Sequence, residues 1–284
     1  MKNVLVLTDF SPNSYAAAEA GLLLAGKLHT DLLLFNSYIN YQTMTSYGGG
    51  GWIVDEFTQR RIDSIKGLQA LTEGLESLSS QLDPQDRCPA INCESNDCDL
   101  GMDVAELIRE KNVEMVVMGS RSDMPDDIAF GADTNAVIEY STRPVLITPM
   151  GTNLGKIHRI LFATDFDESD LKAIHHMARL AKLFHYKIEV VHVCDPGSHT
   201  CDEKEQSFRY HLDQLHYTGL HYHDINGKDV IKRLNNFIAD EAGTILAMVH
   251  VQNSFLVRLF QHSLVRKALG NQKTPLLIFP SKMD

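Results

Sequence analysis

Apolar positions along this chain alternate between two patterns. Uninterrupted runs, "VLVL" at 4–7, "LLLF" at 32–35 and "MVVM" at 115–118, are apolar on both faces and read as strands buried on both sides. Between them the spacing widens to that of helices. Ser11 followed by Pro12 predicts an N-cap with proline in the first helical position, and the helix runs to about Leu28. "DLLLFNSY" is the second strand, and residues 55–82 carry Phe57, Ile65, Leu68, Leu75, Leu78 and Leu82 at helical spacing. A weak strand at 90–93, a helix at 103–111, the strand "EMVVMG", a helix at 134–140 and the strand "PVLITP" complete the unit. Strands alternating with helices imply a parallel sheet covered on both faces.

The same plan then repeats. "NVLVLTDFSPNS" at 3–14 returns as "RILFATDFDESD" at 159–170, and "RPVLITP" at 143–149 returns as "TPLLIFP" at 274–280. Thr8, Asp9 and Phe10 match Thr164, Asp165 and Phe166 at an offset of 156, whereas Pro144 matches Pro275 at an offset of 131. The second copy is therefore 25 residues shorter inside, with a shorter second helix around Phe208, Leu212 and Leu215. Gly151, Asn153 and Gly155 in "MGTNLGK" mark a linker, which sets one domain at residues 1–152 and a second at 153–284.

Composition narrows the function classes. At 284 residues, 44% hydrophobic and 22% charged, the chain reads as a soluble globular protein with two cores. A net charge of -11 without a basic stripe argues against nucleic acid and against anionic membranes. The first residues, "MKNVLVLTDFSPNS", are too briefly apolar for a secretion signal, and no run approaches the roughly 20 residues that span a bilayer. Five cysteines, an odd number, fit a reducing cytoplasm.

"LTDFS" closing the first strand, its echo "ATDFD", a glycine-opened loop after the fourth strand and the terminal "PVLITP" together resemble the universal stress protein family, over nearly the whole of both copies. The resemblance implies an α/β chain of two doubly wound domains. Each would be a five-stranded parallel sheet between helices, and the two would pair through their last strands as an internal pseudo-dimer, with association of two chains as a further partner state. In one branch of the family ATP binds at the carboxyl ends of the strands, where open α/β sheets place ligands. That branch carries glycine, two residues, glycine, nine residues, then glycine and a hydroxyl residue. Gly119 and Gly131 hold the outer positions, Ser122 stands in the middle, the spacer is eight residues, and Ala132 and Asp133 follow. The resemblance thus makes Thr8, Asp9, Ser37, Met118, Gly119, Ser122, Gly131, Ala132, Asp133 and Thr134 the candidate ligand residues of the first copy. Asp123, Asp126 and Asp127 against one Arg121 oppose a triphosphate by about 1 kcal/mol per close pair, and magnesium reverses that sign. The turn is either an ATP and magnesium cradle or a fold element kept for its backbone.

The second copy is expected to have no such cradle, with His250 at the position of Gly119 and His262 at that of Gly131. Its remaining candidates are Thr164, Asp165, Val193 and Ser263, with Arg258 and Arg266 as positive charge; the competing expectation is a helix packing Phe255, Leu259 and Leu264 inward. Asp9 and Asp165 either touch a base or cap the following helix. His192, Cys194, His199 and Cys201 are zinc-competent types, but their spacing matches no paired motif, so no metal is expected. Gly48 to Gly51, between Tyr47 and Trp52, predict a mobile connector or lid. No nucleophile elbow or complete phosphate-binding sequence is present, which favours a stress-linked binding module over an enzyme; slow ATP hydrolysis and a zinc module are the alternatives.

Overall fold

The computed structural model describes residues 1–38, 50–80, 82–97, 99–120, 132–194, 202–226, 234, 243–250 and 274–283. The first half runs β1 (Asn3–Leu7), α1 (Pro12–Leu28), β2 (Asp31–Ser37), α2 (Gly50–Ser79), β3 (Ile91–Asn96), α3 (Leu100–Glu110), β4 (Val113–Gly119), α4 (Ala132–Tyr140) and β5 (Val145–Thr148). A 3-10 turn at Leu154–Lys156 leads to β6 (Arg159–Ala163), α5 (Glu168–Phe184), β7 (Lys187–Cys194), α6 (Asp202–Gln214), β8 (Leu220–Asn226), β9 (Thr244–His250) and β10 (Leu276–Pro280).

All ten strands lie in one sheet, in the order β3-β2-β1-β4-β5-β10-β9-β6-β7-β8. Every pairing is parallel except the central one, where β10 runs antiparallel to β5 with Leu277 opposite Leu146. Each half therefore has its fifth strand at the seam and reverses strand order between its first and fourth strands. Chain direction diverges at that reversal, which leaves a crevice at the carboxyl ends of β1 and β4, and another at those of β6 and β9.

The seam is packed as core. Leu24, Met115, Leu146, Leu180, Ile245 and Leu277 surround a residual gap of about 20 Å³, room for about one water. Tyr186 donates its hydroxyl to Leu154 O at 2.7 Å, tying the connecting turn to the second half. Glu114 on β4 is bridged by Lys2 at 2.6 Å and by Arg179 of α5.

The halves differ in how closely the first helix approaches the sheet. A Cβ at Gly21 of α1 would collide with Val6, and one at Gly119 would lie 2.6 Å from the carbonyl carbon of Asn13. In the second half the fully buried Met177 stands at the position of Gly21 and Phe162 at that of Val6, so α5 rides on larger side chains than α1 does.

Several sequence expectations shift. α2 begins at Gly50, so two of the four glycines are helical, while Tyr47, Gly48 and Gly49 lie outside the described residues. Ile65 is 50% exposed, because the buried stripe runs through Ser64, Leu68, Leu71 and Leu75, one residue away from it at this end. β3 extends to Asn96, and α3 starts early because Asp99 caps it, accepting from the backbone amides of Gly101 and Met102. Among the described residues no helix is long and apolar enough to cross a membrane.

Candidate functional site

The strand-to-helix turn after β1 explains the "TDF" repeat. Thr8 accepts from the Phe10 amide at 3.0 Å and shares a hydrogen with the Ser14 hydroxyl at 3.0 Å. Phe10 is thereby held at φ 62, a left-handed conformation that costs a non-glycine residue about 1 kcal/mol, and Phe166 repeats it at φ 63. Asp9 accepts the Ser11 amide at 3.0 Å. Burial would raise its pKa, but the hydrogen bonds from Ser11 and Ser14 prevail and hold the carboxyl below the usual range. Asp9 therefore steadies the capping residue, and Ser11 itself caps α1 by accepting from the Ser14 amide.

Around this turn the first half places neutral polar groups. Asn36 donates to Thr8 O at 2.7 Å, and Asn13 donates to Ser120 O. Gly119 sits against the backbone of Asn13 and Ser14, so its lack of a Cβ serves helix packing at the end of β4. Ser37, one residue beyond Asn36, hydrogen-bonds Asp103 of α3, whose carboxyl is raised by burial. Met118 is 7% exposed and packs in the core, and Thr134 is buried in the first turn of α4 with Asp133 before it. Thr8, Asp9 and Gly119 thus meet at one crevice, with Ser37 turned to α3. Ser122 and Gly131 lie outside the described residues, as does the spacer with Asp123, Asp126 and Asp127; Ala132 opens α4.

The second half rebuilds the turn with different chemistry. Thr164 accepts from the Phe166 amide at 3.0 Å and donates to Asp170 at 2.6 Å. Asp167 caps α5, and its carboxyl is lowered by the Ser169 hydroxyl and amide. Asp165 is raised by desolvation and then by the Asp167 charge. Carboxyl groups at 167 and 170 replace the hydroxyls of Ser11 and Ser14. His192 takes the place of Asn36: it is buried, its Nδ1 lies 2.9 Å from Thr164 O, and its ring stacks on Phe166 at 4.1 Å. That bond and stack give His192 a packing role. His199 and Cys201 lie outside the described residues, and Val193 and Cys194 end β7; among the described residues no three His, Cys, Asp or Glu gather to hold a metal.

Strand register corrects one alignment. Val116 pairs with Val145 and Leu246 pairs with Leu276, the residues that follow the matched prolines. Val249 therefore stands at the position of Gly119, and His250 at that of Ser120. Val249 is buried, and the set-back α5 accommodates it. Residues 251–273, with Ser263, His262, Arg258, Arg266, Phe255, Leu259 and Leu264, lie outside the described residues.

Ser14, Asn13 and Asn36, with Asp167 and Asp170, were missed by sequence reasoning. The signal was available: the offset of 156 that aligns Asp9 with Asp165 also sets Asp167 under Ser11 and Asp170 under Ser14. A cleft of about 480 Å³ opens elsewhere, between α2 and the edge strand β3, but Glu73, Glu76 and Glu94 on its walls repel an anion.

Comparison with solved structures agrees with the topology. A universal stress protein from Archaeoglobus fulgidus DSM 4304 is 18% identical, with 98% of this chain and 96% of that chain covered at a TM-score of 0.65. A functionally unknown protein from Pseudomonas aeruginosa PAO1 is 15% identical, with 99% and 92% covered at 0.59. At such identities the likeness speaks to fold. A search of curated proteins returned no match. The universal stress protein family matches residues 1–149 and again 156–215, the two stretches that build the repeated β1 and β6 turns. On that match the chain belongs to the universal stress protein family.

Proposed function

We propose that this chain is a cytoplasmic, stress-linked binding and regulatory module without catalytic activity, holding one small anionic ligand, a nucleotide such as ATP with magnesium, at the carboxyl ends of β1 and β4. Its working units are residues 1–152 and 153–284, and only the first carries the site. One observation supports this reading above the others: the two crevices share a backbone turn but not a charge. Among the described residues of the two turns, Thr8, Ser11, Asn13, Ser14 and Asn36 surround the first with one carboxylate, Asp9, whereas Asp165 and Asp167 flank the second and the carboxyl of Asp170 is buried beneath it. Each added carboxylate near a phosphate opposes binding by on the order of 1 kcal/mol in an aqueous crevice. Thr8, Asp9, Gly119, Ser122, Gly131, Ala132, Asp133 and Thr134 would surround the ligand, with Ser37 and Met118 behind it.

Slow hydrolysis of ATP is the alternative. It needs a group poised at the terminal phosphate, and the loop that would supply one, residues 121–131, lies outside the described residues.

Calorimetric titration with ATP and magnesium tests the reading. One site per chain is expected, and Ser11→Asp, which copies the second half and keeps a good helix cap, should weaken binding about five- to tenfold. Absence of binding, or an affinity indifferent to Ser11→Asp, overturns the assignment. Phosphate release measured on the same sample separates a binding module from a hydrolase.

A further inference from the structure

We propose that Asp170 is a proton-binding site: its carboxyl holds a proton in the folded chain and releases it with loosening of the first turn of α5, so that this turn responds to pH. Asp170 is the third residue of α5 and 1% exposed. Its Oδ2 accepts the Thr164 hydroxyl at 2.6 Å, while Oδ1 has no hydrogen-bond partner among the described residues. With the Thr164 hydroxyl and the Asp167 backbone amide as donors but no cation and one oxygen unmatched, a buried carboxylate here is poorly compensated.

The first half supplies an internal comparison. Ser14, at the same place, donates to Ser11 O at 2.9 Å while its oxygen faces Thr8 at 3.0 Å, a neutral group served on both sides. The matching carbonyl in the second half, Asp167 O, takes the Asp170 backbone amide at 3.0 Å instead, and the side chain at 170 is a carboxyl whose second oxygen is left unmatched.

The charged surroundings reinforce this. In its own turn Asp170 faces Asp165 and Asp167, both of which disfavour a further negative charge. From β7, His192 acts on Asp165, and from α6, Lys204 acts on Asp167. From the end of β9, His250 is coupled to Glu139 of α4, and beyond β10 the Met283 carbonyl takes Lys172. Burial, then, raises the Asp170 carboxyl to about 7, with the charges of Asp165 and Asp167 adding to it against the pull of the Thr164 hydroxyl and the Asp167 backbone amide. The helix N-terminus, which favours an anion, is also outweighed.

The sign follows from linkage. The folded value lies above the unfolded one, so between about pH 4 and pH 7 the folded chain binds a proton that the unfolded chain has lost. Stability from this group is present below that window and is lost as pH rises through it.

A carboxyl-carbon NMR titration of the wild-type chain reads the site directly, and an inflection within about one unit of pH 7 is expected. Thermal midpoints of wild type and Asp170→Asn should diverge on going from about pH 5 to about pH 8, with the variant the more stable at the alkaline end. Asp170→Ser, which copies Ser14, should likewise flatten the profile. An inflection below about pH 5, or midpoints that run parallel across the range, overturns the proposal. Should neither variant fold, the wild-type titration alone decides it.

Discussion

Asp9 and Asp170 are both carboxyls at a strand-to-helix turn, yet their environments move them in opposite directions. Asp9 is exposed and held by Ser11, so its folded pKa lies below the unfolded value; the stability it adds is present above about pH 4 and is lost on further acidification. Asp9→Asn should therefore flatten the acid limb of a pH-dependent melting profile, and an unchanged limb would show that Ser11 holds no charge. Two glycines give a sharper contrast. A Cβ at Gly119 would meet Asn13 backbone at 2.6 Å, whereas one at Gly74, on α2, meets nothing within 4 Å. Gly119→Ala should destabilise by about 1–3 kcal/mol through overpacking, and Gly74→Ala should stabilise by about 0.5–1 kcal/mol through helix propensity. Chemical denaturation measures both, and equal effects would mean that α1 does not sit as close to β4 as described.

At the level of elements, the seam is where the halves depend on each other. Tyr186→Phe removes the hydroxyl that holds Leu154 O and should cost about 1 kcal/mol in urea unfolding, with one cooperative transition retained. Two separated transitions would indicate that the central β5 and β10 pairing is weak. How far sequence reaches is visible in these same elements. Uninterrupted apolar runs and the Ser11-Pro12 start placed β1, α1, β2 and β4 within a residue or so, because burial on both faces and capping leave few alternatives. Boundaries slipped where polar residues decide them, as with Asp99 ahead of α3, and the register of α2 slipped because several apolar stripes fit a 30-residue helix. The candidate site was only partly legible. Thr8, Asp9 and Gly119 stand out as motif letters, but Asn13 and Asn36 reach the turn through side-chain hydrogen bonds to distant carbonyls, which no spacing rule reports.

For the whole molecule, the duplicated plan forms one ten-stranded sheet whose two strand-to-helix turns carry unlike side chains among the described residues. The first half keeps hydroxyls and amides around its turn; the second trades two hydroxyls for carboxyl groups, lifts its helix on Met177 and Phe162, and sets Val249 where the first has Gly119. On the proposed function, this difference would direct an anion to the first half of a pseudo-symmetric chain. Amide NMR of the labelled protein titrated with ATP and magnesium tests this claim most directly. The account predicts saturable shifts at Asp9, Ser11, Ser14 and Gly119 with Asp165, Asp167 and Asp170 unmoved; shifts centred on the second turn, or none in either, would contradict it.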